Sequence, residues 1–335
     1  MKKTVTKIDH NFHLQKNSKF EEWEKRKGEN YLNYRKQWYN NPTNNILDQF
    51  PIHLDIEATT ACNFECTMCY RTELVRKNKY WKIENFNIEK YKKIIDEGVK
   101  KGLKSVKYQF FGEPMINKKI YEMIKYAKDA GVVDTMFNTN ASLLTTENAK
   151  KLINSGIDKV FFSFDSPYRE KFNKIRVKGD YDQVLDNIKN FMQIKKEMKS
   201  DNPITRVQMV LMKETKKDWE DFKKLFEPIV DTIAYVDYLD HGDQNSHNTK
   251  GVINIQKNQK PYKCPQLWQR SFIHPDGVVT PCCIDTDRVL VMGNINNESI
   301  DKIWRGKKYN ELRSLHNNGK FSEIPLCSKC PLANS

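Results

Sequence analysis

The sequence predicts an α/β protein built as a parallel array of strands and helices, closed or partly closed. Two observations carry this: six strand-like segments alternate with helix-like ones from Ile52 onward, and polar residues collect where each strand stops. Strands are expected at 52–57, 105–110, 132–138, 159–164, 205–212 and 232–238, several of them rich in β-branched or aromatic residues. Between them, Tyr91, Ile94, Ile95, Gly98 and Val99 recur at helical spacing, as do Tyr181, Val184, Leu185, Ile188 and Phe191. Such arrays place their chemistry at the carboxyl ends of the strands. Three cysteines follow the first strand and Gly112-Glu113-Pro114 the second; the third ends in Asn138-Thr139-Asn140 and the fourth in Ser163-Phe164-Asp165-Ser166. Each alone is explained by a turn or a helix cap. Together they form one polar rim.

Around this core, residues 46–240, the composition changes at both ends. Residues 1–45 are charged and carry Phe20, Trp23, Tyr31, Tyr34 and Trp38, which suggests a helical extension, ending before Pro42, laid across the body of the protein. Residues 241–263 have turn composition and read as a linker. In residues 264–335, a small hairpin is expected to turn at Asp276-Gly277, and Ile300, Ile303, Trp304, Leu312 and Leu315 suggest a helix leading to Cys327 and Cys330.

The chain has 335 residues, 38% of them hydrophobic and 11% aromatic, a globular composition with enough length for a substantial core. No apolar run approaches the roughly 18 residues of a membrane span. Met1-Lys2-Lys3 leads into polar residues rather than an apolar signal region, so a cytoplasmic protein is expected. The formal charge of +14 comes from lysines spread along the whole chain, which suits a solvated surface better than a nucleic-acid interface. An acidic small substrate or an acidic electron-donor protein would also suit it. The eight cysteines fall into short-spaced sets, Cys62/Cys66/Cys69, Cys282/Cys283 and Cys327/Cys330, with Cys264 alone, the pattern of metal ligands rather than disulfides.

Three thiols at 62, 66 and 69 make an incomplete cage. Structural zinc sites close with four ligands, whereas a 4Fe-4S cube held by three cysteines leaves one iron open to another ligand. This triplet, with Tyr70 behind it and Gly112-Glu113-Pro114 after the next strand, resembles the radical S-adenosylmethionine (radical SAM) enzymes. Toward the carboxyl end, Cys264, Gly277, Cys282, Gly293-Asn294-Ile295, Ile303-Trp304, Cys327 and Cys330 resemble a SPASM-type domain. The resemblance covers about residues 50 to 335 and implies a partial (β/α)6 TIM-like barrel with a small carboxy-terminal α+β iron-sulfur domain.

By that resemblance, Cys62, Cys66 and Cys69 hold the first 4Fe-4S cluster, whose open iron takes S-adenosylmethionine. Glu113 would accept from its amino group, Ser163 and Arg176 would bind its carboxylate, with Arg169 a rival in the same loop, and Asn138 its ribose. Tyr70 would lie against adenine or simply pack. A full SPASM pattern has seven cysteines, but this chain supports one auxiliary cluster, the Twitch arrangement, on Cys264, Cys282, Cys327 and Cys330. Zinc on the same four is the alternative. Cys283 is left over: a packed hydrophobe, an exchange partner of Cys282, or a hydrogen-atom donor to the substrate.

The implied chemistry is reductive cleavage of S-adenosylmethionine to a 5′-deoxyadenosyl radical that takes a hydrogen atom from a polar small molecule or carbohydrate. Cys283 as donor makes an epimerase. Electron loss to the auxiliary cluster makes a two-electron alcohol dehydrogenase, and some related enzymes modify peptides. Gln109, Asp165, Asp237, Tyr238 and His241 are the expected substrate contacts, and a flavodoxin- or ferredoxin-like protein the expected electron donor. The alternative of another class is a zinc-stabilised nucleic-acid-binding protein, suggested by charge, aromatics and cysteines.

Overall fold

The structure is a computed structural model, and it describes residues 5–9, 12–15, 17–77, 82–238 and 263–330. The chain opens with an antiparallel hairpin, β1 (Val5–Asp9) and β2 (Phe12–Gln15), followed by helices α1 (Ser18–Arg26) and α2 (Gly28–Asn44). Helices alone were expected there. The hairpin exists because β2 pairs antiparallel with the last barrel strand, a contact made across more than 200 residues of sequence.

Six strands then run parallel in chain order: β3 (His53–Ile56), β4 (Ser105–Tyr108), β5 (Asp134–Thr139), β6 (Lys159–Ser163), β7 (Ile204–Leu211) and β8 (Thr232–Asp237). They form a partial, partly open barrel. The helices between them are α3 (Tyr70–Arg76), α4 (Ile88–Lys101), α5 (Ile120–Asp129), α6 (Thr146–Asn154), α7 (Arg169–Ile175), α8 (Tyr181–Glu197) and α9 (Trp219–Phe226). Their limits follow local chemistry. In α4 the Asn87 side chain caps the start by accepting from the Lys90 amide, and Gly102, at φ 107°, ends it. Its Tyr91, Ile94 and Ile95 are buried on the face turned to the sheet.

Alternation along the strands sends one set of side chains to the helical layer and the other into the barrel. His53, Lys107, Met136, Phe161, Arg206 and Arg270 line the interior cavity. The barrel's amino-terminal end is closed by a separate core in which Phe20, Trp23, Tyr31, Tyr34 and Trp38 of α1 and α2 pack with Leu14, Ile52, Ile204 and Ala234.

The carboxy-terminal hairpin does not stand apart. Strand β9 (Arg270–Ile273) pairs parallel with β3, His53 opposite Arg270, and antiparallel with β10 (Val278–Thr280), which pairs with β11 (Gly293–Asn294). Helices α10 (Ile300–Trp304), α11 (Lys307–Asn317) and α12 (Pro325–Ser328) complete this part. Because β10 runs back against β9, Cys282 and Cys283 return to the level where β9 begins. The triplet cysteines follow the carboxyl end of β3, so the two cysteine sets occupy opposite ends of one barrel.

The triplet loop is held by backbone bonds on two sides. The Glu65 and Thr67 amides donate to the Val177 and Ile175 carbonyls, each at 2.9 Å, and the Glu113 amide donates to the Ala61 carbonyl at 2.8 Å. A Cβ at Gly112 would lie 1.9 Å from the Thr59 carbonyl oxygen, so this glycine is what lets the two loops touch. Gly112→Ala is therefore expected to destabilise the chain by about 1–3 kcal/mol and to lower iron uptake at the triplet. Denaturant unfolding and iron content after anaerobic reconstitution measure the two effects; an unchanged pair would show that the loops need no such approach.

Candidate functional site

At the carboxyl end of the barrel Cys66 is buried and Cys62 and Cys69 are half-buried, with little solvent to stabilise charge. Burial pushes Cys62 up to about 11 and Cys66 to about 12, and raises Cys69 as well. Each of these sulfurs needs a cation to become a thiolate ligand, and an iron cluster supplies that charge.

Arg176 enters this group from the end of α7. Its Nη1 lies 3.9 Å from the Cys66 Sγ, and its Nε and Nη2 reach the Asp165 Oδ2 at 2.7 and 2.6 Å. Asp165 also accepts from the Val210 amide at 2.8 Å. Asp165 was expected to touch substrate; its Oδ2 instead holds Arg176 beside the cysteines and its Oδ1 is taken by the Val210 amide. Arg169, the rival arginine, is exposed and pairs with Asp182.

Glu113 is buried beside Cys62 and accepts from Thr139 Oγ1 at 2.8 Å, the Asn140 amide at 2.8 Å and the Met115 amide at 3.2 Å. Burial outweighs these donors and lifts its carboxyl to about 7. An ammonium partner would favour the charged form. Asn138 and Ser163 lie half-buried on β5 and β6, and the Asn138 amide oxygen is buried with no hydrogen-bond partner among the described residues. Tyr70 packs: its hydroxyl donates to Asp287 at 2.6 Å and its ring sits 6.4 Å from that of Phe111, linking the triplet helix to the carboxy-terminal segment. Sequence reasoning missed Thr139 and Asn140 as supports of Glu113, and Asp287; the first two stood within the strand-end motif.

At the opposite end, Cys264, Cys282, Cys327 and Cys330 line one apolar cavity with Leu267, Ile284, Leu290, Leu312 and Leu326. Burial raises Cys264 to about 12 and raises Cys327 too. Four thiols from three segments fit a closed cluster site. Cys283 does not line that cavity. Its thiol shares a hydrogen bond with that of Cys282, its sulfur accepts from Gln266 Nε2 at 3.4 Å, and it lies in the field of Arg270 and Asp55, both interior to the barrel.

The other expected substrate contacts have internal partners. Gln109 Nε2 donates to Asp55 Oδ1 at 2.9 Å. Asp237 shares a sheet face with Tyr235, which packs on Trp219 of α9, and it pairs with His13 of β2 at 3.3 Å; it points away from the interior. Tyr238 is buried and its amide continues the β7–β8 ladder by donating to the Leu211 carbonyl. His241 lies outside the described residues. What the strand-end search overlooked is the set of interior cations, Lys107, Arg206 and Arg270 with Arg35 from α2, which the inward parity of each strand could have revealed.

The family model for the radical SAM superfamily matches residues 56–226, and that for an iron-sulfur cluster-binding SPASM domain matches residues 264–331. The chain is 24% identical over 325 residues to the tungsten-containing aldehyde ferredoxin oxidoreductase cofactor-modifying protein of Pyrococcus furiosus, covering 84% of this chain and 88% of that one. It is 22% identical to the S-adenosyl-L-methionine-dependent 2-deoxy-scyllo-inosamine dehydrogenase of Niallia circulans, covering 85% and 94%. Among solved structures, BtrN in complex with AdoMet and 2-DOIA matches with TM-score 0.56 at 17% identity over 85% of this chain and 94% of that one. Streptococcus suis SuiB bound to S-adenosylmethionine matches with TM-score 0.63 at 16% identity over 85% and 72%. The chain thus belongs to the radical SAM superfamily, with a carboxy-terminal SPASM domain and with S-adenosylmethionine and 4Fe-4S clusters as its cofactors.

Proposed function

We propose that this enzyme takes a hydrogen atom from a polar small molecule or carbohydrate held inside the barrel and inverts the carbon centre, with Cys283 as hydrogen donor. The observation that carries this reading is the position of Cys283: it stands next to the cavity-lining Cys282, accepts from Gln266 Nε2 and lies in the field of the interior Arg270. When bound, S-adenosylmethionine and the open cluster on Cys62, Cys66 and Cys69 supply the radical that abstracts the hydrogen atom. Glu113, Arg176, Asn138 and Ser163 would hold the amino, carboxylate and ribose groups of S-adenosylmethionine at that end. The Cys283 thiol then gives its hydrogen atom to the opposite face of the substrate carbon. The sulfur left behind recovers the thiol by taking one electron, from a flavodoxin- or ferredoxin-like donor, and one proton.

A second reading is two-electron oxidation of an alcohol, in which the substrate carbon radical loses a proton and an electron and no thiol is needed. The likeness to the Niallia circulans dehydrogenase along nearly its whole length favours it. Peptide modification has likenesses of fold alone, to SuiB bound to precursor peptide SuiA and to anSMEcpe with bound AdoMet and Cp18Cys peptide. Family membership replaces the zinc and nucleic-acid alternative.

Turnover in heavy water separates the first two. Deuterium retained at the product carbon, and lost in Cys283→Ala while 5′-deoxyadenosine still forms, is the expected result. Normal product from Cys283→Ala would sink the thiol donor. Iron content tests the assignment of the neighbours: Cys283→Ala should keep about eight iron atoms per chain and Cys282→Ala about four. Asp165→Asn, which releases the buried Arg176, should weaken S-adenosylmethionine binding by about tenfold with little change in iron; calorimetry on the reconstituted enzyme measures it, and unchanged affinity would take Arg176 out of the site.

A further inference from the structure

Two neighbouring thiols stand at the four-cysteine cavity, and only one of them is needed to complete a closed cluster site with Cys264, Cys327 and Cys330. The thiols of Cys282 and Cys283 share a hydrogen bond, so a small rotation would exchange their roles. The exchange matters for chemistry. A ligand sulfur gives up its proton when it binds a metal, and a sulfur without its hydrogen has none to donate. Whatever keeps Cys283 off the iron therefore preserves the donor.

The two sulfurs receive different hydrogen bonds. The Ile284 amide reaches Cys282 Sγ at 3.5 Å, a backbone contact built into the turn after β10. Cys283 Sγ instead accepts from a side chain, Gln266 Nε2, at 3.4 Å. Gln266 is 5% exposed and lines the four-cysteine cavity, yet its Oε1 is buried with no hydrogen-bond partner among the described residues. The Cys283 sulfur is thus what orients this side-chain amide. The residue is also firmly seated. It belongs to the short helical turn Pro265–Trp268, in which Leu267 and Trp268 are buried and Arg313 Nε of α11 donates to the Leu267 carbonyl at 2.8 Å. The Gln266 backbone amide meanwhile donates to the sulfur of Cys264. One residue addresses a cavity cysteine with its backbone and the spare cysteine with its side chain.

Resting on the reading that Cys283 is the hydrogen donor, we propose that Gln266 is a positioning residue whose side-chain amide holds the Cys283 sulfur apart from the cavity and leaves Cys282 as the fourth ligand. Its N–H occupies a sulfur lone pair that iron would otherwise take. The thiol keeps its hydrogen atom for the substrate, held by a neighbour that is itself locked by packing.

The test is the iron content of the full chain after anaerobic reconstitution. Cys282→Ala is expected to hold about four iron atoms, because Gln266 keeps Cys283 from replacing the lost ligand. Adding Gln266→Leu frees Cys283 to enter the cavity and should restore about eight; adding Cys283→Ala to that pair should return the count to about four. A merely structural role of Gln266 could lower the iron content but not restore it. Gln266→Glu, of the same size but without the N–H donor at neutral pH, reports in place of the leucine variant if circular dichroism shows misfolding. About four iron atoms in the folded Cys282→Ala/Gln266→Leu chain, or about eight already in Cys282→Ala, overturns the proposal. Turnover in heavy water scores the underlying reading separately. Failed iron rescue with deuterium lost in Cys283→Ala removes the role of Gln266 and leaves the thiol donor standing, whereas rescue with normal product from Cys283→Ala does the reverse.

Discussion

The parallel ladder between β3 and β9 is the contact on which the arrangement of the whole molecule depends. It makes the first strand of the barrel a shared wall: the triplet cysteines leave its carboxyl end, and the carboxy-terminal cysteines gather at the level where its partner begins. A one-residue slip of β9 would turn Arg270 out of the interior and carry Cys283 with it. The separation of the two cysteine sets, and the enclosed space between them, are thus consequences of backbone register rather than of any flexible docking.

Charge inside the barrel is organised in the same economical manner. Asp165 holds Arg176, Asp134 holds Lys159, and the His53–Asp55–Arg270 group shares one carboxylate. Asp55 is kept well below its usual range, to about 2, where the neighbouring His53 and Arg270 outweigh the opposing effect of burial. It is therefore held as an anion, and it orients its neighbours.

Much of this was legible in the chain itself. All six parallel strands fall within two residues of their expected limits because a parallel core strand must be apolar or β-branched on the face that meets the helices, whatever its neighbours are. The triplet and Gly112-Glu113-Pro114 were legible because each states its own chemistry, and the 1.9 Å approach at Gly112 explains why that motif needs its glycine. The hairpin at the amino terminus was not, since it forms against β8, more than 200 residues away in sequence. Asp165 and Asp237 were misread for a related reason. A polar residue at a strand end announces itself in sequence, but whether a partner such as Arg176 or His13 has already claimed it depends on contacts far along the chain.

An unclosed barrel carries a hazard that a closed one lacks, for each of its outer strands offers unpaired amides and carbonyls to any passing strand. Here neither outer strand of the six-stranded array is left bare: β2 covers β8 on one side and β9 covers β3 on the other. The outermost strand on the second side, β11, is only two residues long, too short to template another chain. The β2 and β9 segments therefore take up the two edges of the array, which leaves the barrel free to stay open around its contents.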